Sequence, residues 1–410
     1  MVETVATLPV MPAGLEPLAG QIIDVDSHEM MPVQEWLDYF GPDVQPLIDA
    51  WTATGEAAGP MDKNHPNDPT YAGDVKPIDD DIVNVKGVTA PGAVLTSRRL
   101  DVMDKMGVSK QLMFPGSVGL YGTILRVEAH DHSLFPTIGP TTERRIDVAN
   151  RCIARYQEWL EGLASFSPRV RPVAPIAEDT VDGIIATARR LIDSGLRAIW
   201  LPAGIPPGGV SPAHSSLDGL WAMCAEADVT VTLHIGGEGK LLESDAWARA
   251  EPFEGFRSLG EFSVDPYSTS MLHIPFQNFL TAMVTGGVFA RHPRLRFGVI
   301  EVGGHWIGPL MENMDMWAKN MGHMSDNPHK LTELPSTYVK NNVRVSFFPF
   351  EPVDVYLQRH DVADVLAFST DYPHVEGGRN AVTKVYGKVE PFGRDVVEKI
   401  FRDNGKWLLP

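Results

Sequence analysis

Eight short apolar segments, nearly all followed by a stretch of helical periodicity, constrain this chain more than any other feature. They fall at 22–29, 111–114, 170–176, 196–201, 229–235, 295–302, 343–348 and 365–369. Strand and helix alternating in this way, without a regular polar face on the strands, implies parallel strands buried on both sides. Eight such units in 410 residues favour an α/β fold of the (β/α)8 TIM-barrel type over an open doubly wound sheet. The whole chain, 1–410, then reads as one barrel domain with an N-terminal extension at 1–20. Three long connections at 32–91, 116–140 and 236–272 each follow a strand end, which places them as insertions over the C-terminal face of the strands.

Helices are expected at 95–106, 142–165, 217–227, 276–290, 306–321, 353–359 and 394–408. One more starts at Asp179 or Thr180 and ends at Ser194, with Gly195 as its C-cap. The Met- and Trp-containing run at 306–321 has helical spacing, which suits core packing or contact with a second copy in a homo-oligomer.

A barrel puts its chemistry at the C-terminal ends of its strands. Four of these strand ends carry acids and histidines. The first ends in Asp24-Val25-Asp26-Ser27-His28-Glu29, where alternation puts Asp24, Asp26 and His28 on one face. The fifth ends at His234, the sixth in Glu301-Val302-Gly303-Gly304-His305-Trp306, and the eighth in Thr370-Asp371-Tyr372-Pro373-His374. Buried carboxylates beside apolar residues are costly unless paired or bound to a cation. Imidazole and carboxylate donors together suit Zn, Fe, Mn, Ni or Co, and without thiolates a structural Cys-type zinc site is excluded.

Bulk properties remove several function classes. The formal net charge of -18 opposes general binding to nucleic acid or anionic membrane. With Cys152 and Cys224 as the two cysteines, no disulfide framework is in play. The first 20 residues lack a basic region followed by an apolar run, and no apolar stretch reaches spanning length, so a cytoplasmic protein is expected.

Taken together, the strand-end motifs resemble those of the amidohydrolase-related metal-dependent enzymes, from Ile22 to the end of the chain apart from the insertions. The resemblance implies a metal-holding (β/α)8 barrel of the kind found in hydrolases and nonoxidative decarboxylases. Asp26 stands where the first histidine of a His-x-His pair is usual, and His28 takes the second place. His234 matches the strand-five ligand, and Asp371 matches the strand-eight ligand and base. Glu301 stands where decarboxylase members carry a catalytic histidine, a departure that removes one participant from the usual decarboxylation mechanism.

Counting Asp26, His28, Glu29, His234, Glu301, His305 and Asp371 gives more donors than one catalytic metal needs. His374 adds another, and Glu238 and Asp24 are expected as partners orienting the ligands. This donor set is similar to that of the TIM-barrel nonheme diiron monooxygenases, the hydroxylase type of platensimycin and platencin biosynthesis. That resemblance implies two Fe ions, O2, an electron donor and hydroxylation of a largely apolar, coenzyme A-linked small molecule in secondary metabolism or catabolism. Asp371, Glu301 and His305 would be its catalytic residues. The alternative is a single Zn or Mn ion in an amidohydrolase-type hydrolase or nonoxidative decarboxylase, with Asp371 as base.

Arg98, Arg99, Arg144, Arg145, Lys240 and Arg249 are candidates for coenzyme A phosphates or for solvated helix faces. His130-Asp131-His132 reads as lid or surface material, and His273 as a helix cap. Leu120, Tyr121, Phe135, Phe253, Phe256, Phe262 and Tyr267 in the insertions hint at an apolar substrate.

Overall fold

Among the described residues nine strands carry the sheet hydrogen bonding: β1 (Ile22–Asp24), β2 (Val108–Met113), β3 (Val170–Pro172), β4 (Ala174–Pro175), β5 (Ala198–Trp200), β6 (Thr230–His234), β7 (Arg296–Ile300), β8 (Val343–Ser346) and β9 (Leu366–Ala367). The computed structural model describes residues 11–53, 74, 76–94, 96–239, 247, 250–256, 265–324 and 331–410. Lys240, Arg249 and Phe262 lie outside the described residues, as do parts of the expected insertions 32–91 and 236–272 and of the N-terminal extension.

Every strand pairing is parallel, in the order β1-β2-β3 and β4-β5-β6-β7-β8-β9. β3 and β4 are two pieces of one barrel stave, interrupted at Val173, whose N–H donates to Met113 O at 2.9 Å. The seam between β9 and β1 is closed by Val25 N to Phe368 O at 3.1 Å, Asp371 N to Asp26 O at 2.9 Å and His28 N to Tyr372 O at 2.8 Å. The result is the expected α/β barrel of eight staves, closed on itself among the described residues.

The strands are apolar because both faces are covered. Val231, Leu233, Phe297, Val299, Val343 and Val345 are all fully buried. Helices follow the strands much as their periodicity predicts. Thr141 and Thr180 cap Thr142–Leu163 and Val181–Asp193, accepting from Arg144 N at 3.3 Å and Gly183 N at 3.1 Å. The helix Val118–Val127 falls inside the expected 116–140 insertion. Nine of its ten residues are buried, so it is a core helix packed on almost every side, with Arg126 reaching Asn150 and Asp179.

The final helical segments turn under the barrel and seal its N-terminal end. Asn404 Nδ2 donates to Ala363 O and Leu366 O, both at 2.8 Å, and Thr230 Oγ1 donates to Leu408 O at 2.7 Å. Gly405 is required here, since a Cβ at that position would stand 2.5 Å from Ile23 Cβ. With that end closed, access to the interior is from the C-terminal rim. Among the described residues no helix is long and apolar enough to cross a membrane.

Candidate metal centre

The strand ends bring their polar residues to one point. Asp26 and His28 follow β1, His234 is the last residue of β6, Glu301 follows β7, and Asp371 and His374 follow β9. His28 Nε2 lies 3.4 Å from Asp26 Oδ1, 3.3 Å from Glu301 Oε2 and 3.4 Å from Asp371 Oδ1. His234 Nε2 lies 3.1 Å from Glu301 Oε2 and 3.5 Å from Asp26 Oδ1. His374 stacks on His28 with ring centres 3.7 Å apart, and its Nδ1 is 3.4 Å from Asp371 Oδ1. Asp26, His28, His234 and Glu301 form one group able to hold a metal ion, and His28, Glu301, Asp371 and His374 form a second that shares two of its members.

The remaining contacts of these side chains aim them inward. His28 Nδ1 faces Pro115 O at 3.3 Å and His234 Nδ1 faces Ile235 O at 2.9 Å. A ring nitrogen engaged with a carbonyl carries the proton, which leaves the Nε2 lone pair of each imidazole directed into the cluster. Phe114 stacks on His234 at 4.1 Å and Trp200 stands edge-on to it at 5.6 Å, so the walls are apolar and the local field is strong.

All six side chains are buried. Asp26 Oδ1, His234 Nε2 and both oxygens of Glu301 and of Asp371 have no hydrogen-bond partner among the described residues. Burial opposes charge on His234, yet the Asp26 and Glu301 carboxylates raise its pKa well above the usual imidazole value. Burial likewise works against ionised Glu301, but His234, His28 and His374 hold its carboxyl well below the ordinary range. Asp371 goes the other way: burial and the neighbouring Glu301 charge push it well up, against the pull of His374. Carboxylate and imidazole atoms buried this close together favour a cation among them, and the residues present fit one.

Two expected ligands are not part of this cluster. Glu29 points to the opposite face of its strand, as alternation requires for the neighbour of His28. Its carboxylate accepts from Gly116 N at 2.9 Å, Ser117 N at 3.1 Å, Ser117 Oγ at 2.7 Å and Met31 N at 3.0 Å. His305 is carried off by the turn at Gly303, whose φ of +76° redirects the chain. Its side chain is 47% exposed, and Nδ1 is 3.9 Å from Glu351 Oε2. Glu351 in turn accepts from Gly304 N at 2.9 Å and Phe348 N at 2.6 Å, so it fixes this turn.

Asp24, expected as an orienting partner, binds Thr370 and Gln111 one layer deeper. It accepts from Gln111 Nε2 at 2.8 Å and Thr370 N at 2.9 Å, and burial pushes its carboxyl up to about 6. The arginines do not form an anion surface either. Arg99 is buried with its guanidinium on His28 O, Gly92 O and Tyr372 O, and Arg145 is buried on four loop carbonyls. Arg98 pairs with Asp74 and Arg144 with Asp147. His130 is exposed beside Glu128.

A parallel barrel with one buried nest of imidazoles and carboxylates at its C-terminal rim defines a class of metal-binding barrels. The chain belongs to the amidohydrolase family, whose model matches residues 129–410. No curated protein matches it. Among solved structures it is similar to an amidohydrolase from Mycobacterium avium subsp. paratuberculosis, with 19% identity, TM-score 0.64, and 95% of this chain and 99% of that one covered. It is also similar to 5-carboxyvanillate decarboxylase from Novosphingobium aromaticivorans in complex with manganese and 4-hydroxy-3-methoxy-5-nitrobenzoic acid. There the identity is 14%, the TM-score 0.58, and the coverage 98% of both chains. A dihydroxybenzoic acid decarboxylase from Polaromonas with bound manganese and 2-nitroresorcinol gives 15% identity, TM-score 0.54, and coverage of 95% and 97%. At these identities the likeness establishes the fold.

The monooxygenase expectation is corrected by these findings. The two decarboxylases hold manganese and a benzoic acid or a nitroresorcinol, and neither they nor the amidohydrolase is an iron oxygenase. The physical basis of that expectation, a surplus of donors, also shrinks once Glu29 and His305 are placed elsewhere. Oxidoreductase chemistry, an iron pair, O2, an electron donor and a coenzyme A thioester have no support at this site.

Proposed function

We propose that this protein is a mononuclear metal-dependent decarboxylase of small aromatic acids. The observation that carries this is the convergence of Asp26, His28, His234, Glu301 and Asp371 on one buried point, with both Nδ1 atoms engaged by carbonyls. The two four-residue groups share His28 and Glu301, and we read them as serving one divalent cation. Manganese fits the all-nitrogen-and-oxygen donor set, and the two solved decarboxylases hold it. Asp26, His28, His234, Glu301 and Asp371 would hold the ion, which when bound supplies a Lewis acid for an anionic substrate group.

The chain's own groups supply the proton. Decarboxylation replaces a carbon–carbon bond with a carbon–hydrogen bond, so one proton must reach the ring carbon as CO2 departs. The Asp371–His374 pair, 3.4 Å apart, lies at the edge of the cluster, and with Asp371 on the ion the His374 imidazole is the group that would hold and deliver the proton. His374 would thereby provide an imidazole in a site where Glu301 occupies the place of the expected histidine. A cavity of about 360 Å³ is lined by Leu272, Val302, Phe348 and Phe350 together with His305 and Glu376; Val302 and His305 follow the strand end bearing Glu301, and Glu376 the one bearing His374. Its aromatic walls suit a ring. We also read the chain as one barrel unit rather than two domains.

Hydrolysis is the second reading, favoured by Glu301 at the position of the decarboxylase histidine. The same pair would then take a proton from water. Incubating manganese-loaded protein with 2,6-dihydroxybenzoate and 5-carboxyvanillate, and following CO2 together with the decarboxylated phenol, tests the main reading. Acid release from esters or amides without CO2 from either acid would replace it with hydrolysis. Dialysed protein that retains less than a tenth of an equivalent of any metal would refute both.

A further inference from the structure

The cavity of about 360 Å³ draws its lining from the loops that follow three strands. Val302, Gly303 and His305 come after β7, Phe348, Phe350, Glu351 and Tyr356 after β8, and Glu376 after β9, two residues past His374. The rings of Phe348 and Phe350 are stacked, with centres 5.0 Å apart and planes inclined by 6°. Phe350 is 66% exposed, so this flat wall, on which an aromatic ring can lie, is reached from solvent.

The polar groups of the cavity are unequally committed. Glu351 accepts from Gly304 N at 2.9 Å, Phe348 N at 2.6 Å and the Tyr356 hydroxyl at 3.1 Å. His305 is held in place by its neighbours. A Cβ at Gly303 would stand 3.1 Å from His305 Nδ1 and 3.3 Å from both Glu351 oxygens, so imidazole and carboxylate pack directly on that glycine. On another side His273 stands edge-on to the His305 ring at 4.7 Å and is itself stacked on Trp306 at 6.4 Å. With Nδ1 turned to Gly303 and Glu351, Nε2 is the nitrogen that a half-exposed ring offers to a ligand. The charge of the lining points the same way. Among the described residues it holds two carboxylates, Glu351 and Glu376, and neither lysine nor arginine. A second carboxylate on a ligand would meet those charges inside an apolar enclosure, whereas a hydroxyl needs only a hydrogen-bond partner.

We infer that His305 is the specificity-determining residue of this site: its Nε2 hydrogen-bonds a ring hydroxyl of an aromatic acid carrying a single carboxylate, and the acidic cavity disfavours a second one. The inference rests on the reading of the site as one for aromatic acids, and its test reads binding rather than turnover. Manganese-loaded wild type and H305F are titrated calorimetrically with 2-hydroxybenzoate, with its 4- and 5-hydroxy derivatives and with its 4- and 5-carboxy derivatives, alongside metal analysis of both proteins.

In wild type the better of the two hydroxy derivatives should bind about tenfold more tightly than 2-hydroxybenzoate, and both carboxy derivatives more weakly than it. H305F keeps a ring but no nitrogen. It should lose the hydroxyl preference while binding 2-hydroxybenzoate within about threefold of wild type, with unchanged metal content. If H305F does not accumulate as folded protein, H305A takes its place. A hydroxyl preference that survives in the variant, none in wild type, or carboxy derivatives that bind as tightly as the hydroxy ones would overturn the assignment and leave the aromatic-acid reading standing. Loss of metal in the variant would also overturn it. No binding of any of the five acids to wild type would refute the aromatic-acid reading and this inference with it. A His305-dependent preference with no CO2 released from any of the five would support the inference and count against decarboxylation.

Discussion

Replacing Glu29 by alanine separates a ligand from a structural carboxylate. In the structure this side chain satisfies three backbone N–H groups, of Met31, Gly116 and Ser117, and the Ser117 hydroxyl, at 2.7–3.1 Å. Glu29 itself is 1% exposed, so water does not substitute freely. The hydroxyl can rotate to another acceptor, whereas the three amides cannot. Each buried donor left unmatched costs about 1–3 kcal/mol, and hydrogen bonds to a charged acceptor stand at the upper end. Water entering the space vacated by the side chain recovers part of this, which leaves about 3–5 kcal/mol. That is a large fraction of the typical stability of a folded domain, about 5–15 kcal/mol. Urea denaturation of manganese-loaded E29A should show the loss as a lower midpoint with an unchanged slope. Metal analysis of the folded protein should give the wild-type stoichiometry. A variant that keeps its midpoint to within about 1 kcal/mol and loses its metal would refute this reasoning and make Glu29 a ligand.

H234A should lose metal binding, since its Nε2 faces both Asp26 and Glu301; metal retained at full stoichiometry would displace this residue from the centre. H305A should keep its metal and shift stability by less than about 1 kcal/mol, as befits a half-exposed ring, and loss of metal would reinstate it as a donor. His273 is pushed down to about 4 by burial and by His305 beside it. The folded protein thus binds fewer protons there than the unfolded chain, so this contribution is complete above pH 6.5, falls as pH drops from 6.5 to 4, and is level below. Solvent contact limits the effect to about 1 kcal/mol. The difference in unfolding free energy between wild type and H273F should change over that window, and a difference independent of pH would exclude the linkage.

Five cluster residues were legible in the sequence because a parallel barrel ties chemistry to strand ends. Asp26, His28, His234, Glu301 and Asp371 each sit at or just past the end of an apolar segment. Of the donors counted beyond these, His374 joins the cluster, while Glu29 and His305 do not. Glu29 follows His28 immediately, and strand alternation turns it to the other face. His305 stands four residues after Glu301, and its course depends on the turn at Gly303, which spacing does not reveal. The error was chemical in its consequence, since those two residues made the donor set look large enough for two irons.

What holds the cluster together is also what closes the barrel. Glu301 and Asp371 have left-handed backbones, with φ of 62° and 48°, a conformation that costs a non-glycine residue about 1–2 kcal/mol. Each is pinned by its own N–H. Glu301 N donates to Ser346 Oγ at 2.7 Å on β8, and Asp371 N donates to Asp26 O at 2.9 Å across the β9–β1 seam. The second bond joins two residues whose carboxylates meet in the same cluster. The seam therefore sets the separation of Asp26 and Asp371 directly, without an intervening loop. A substitution that opens the seam from outside, such as a side chain at Gly405 driven against Ile23, should lower metal affinity even though it touches no ligand.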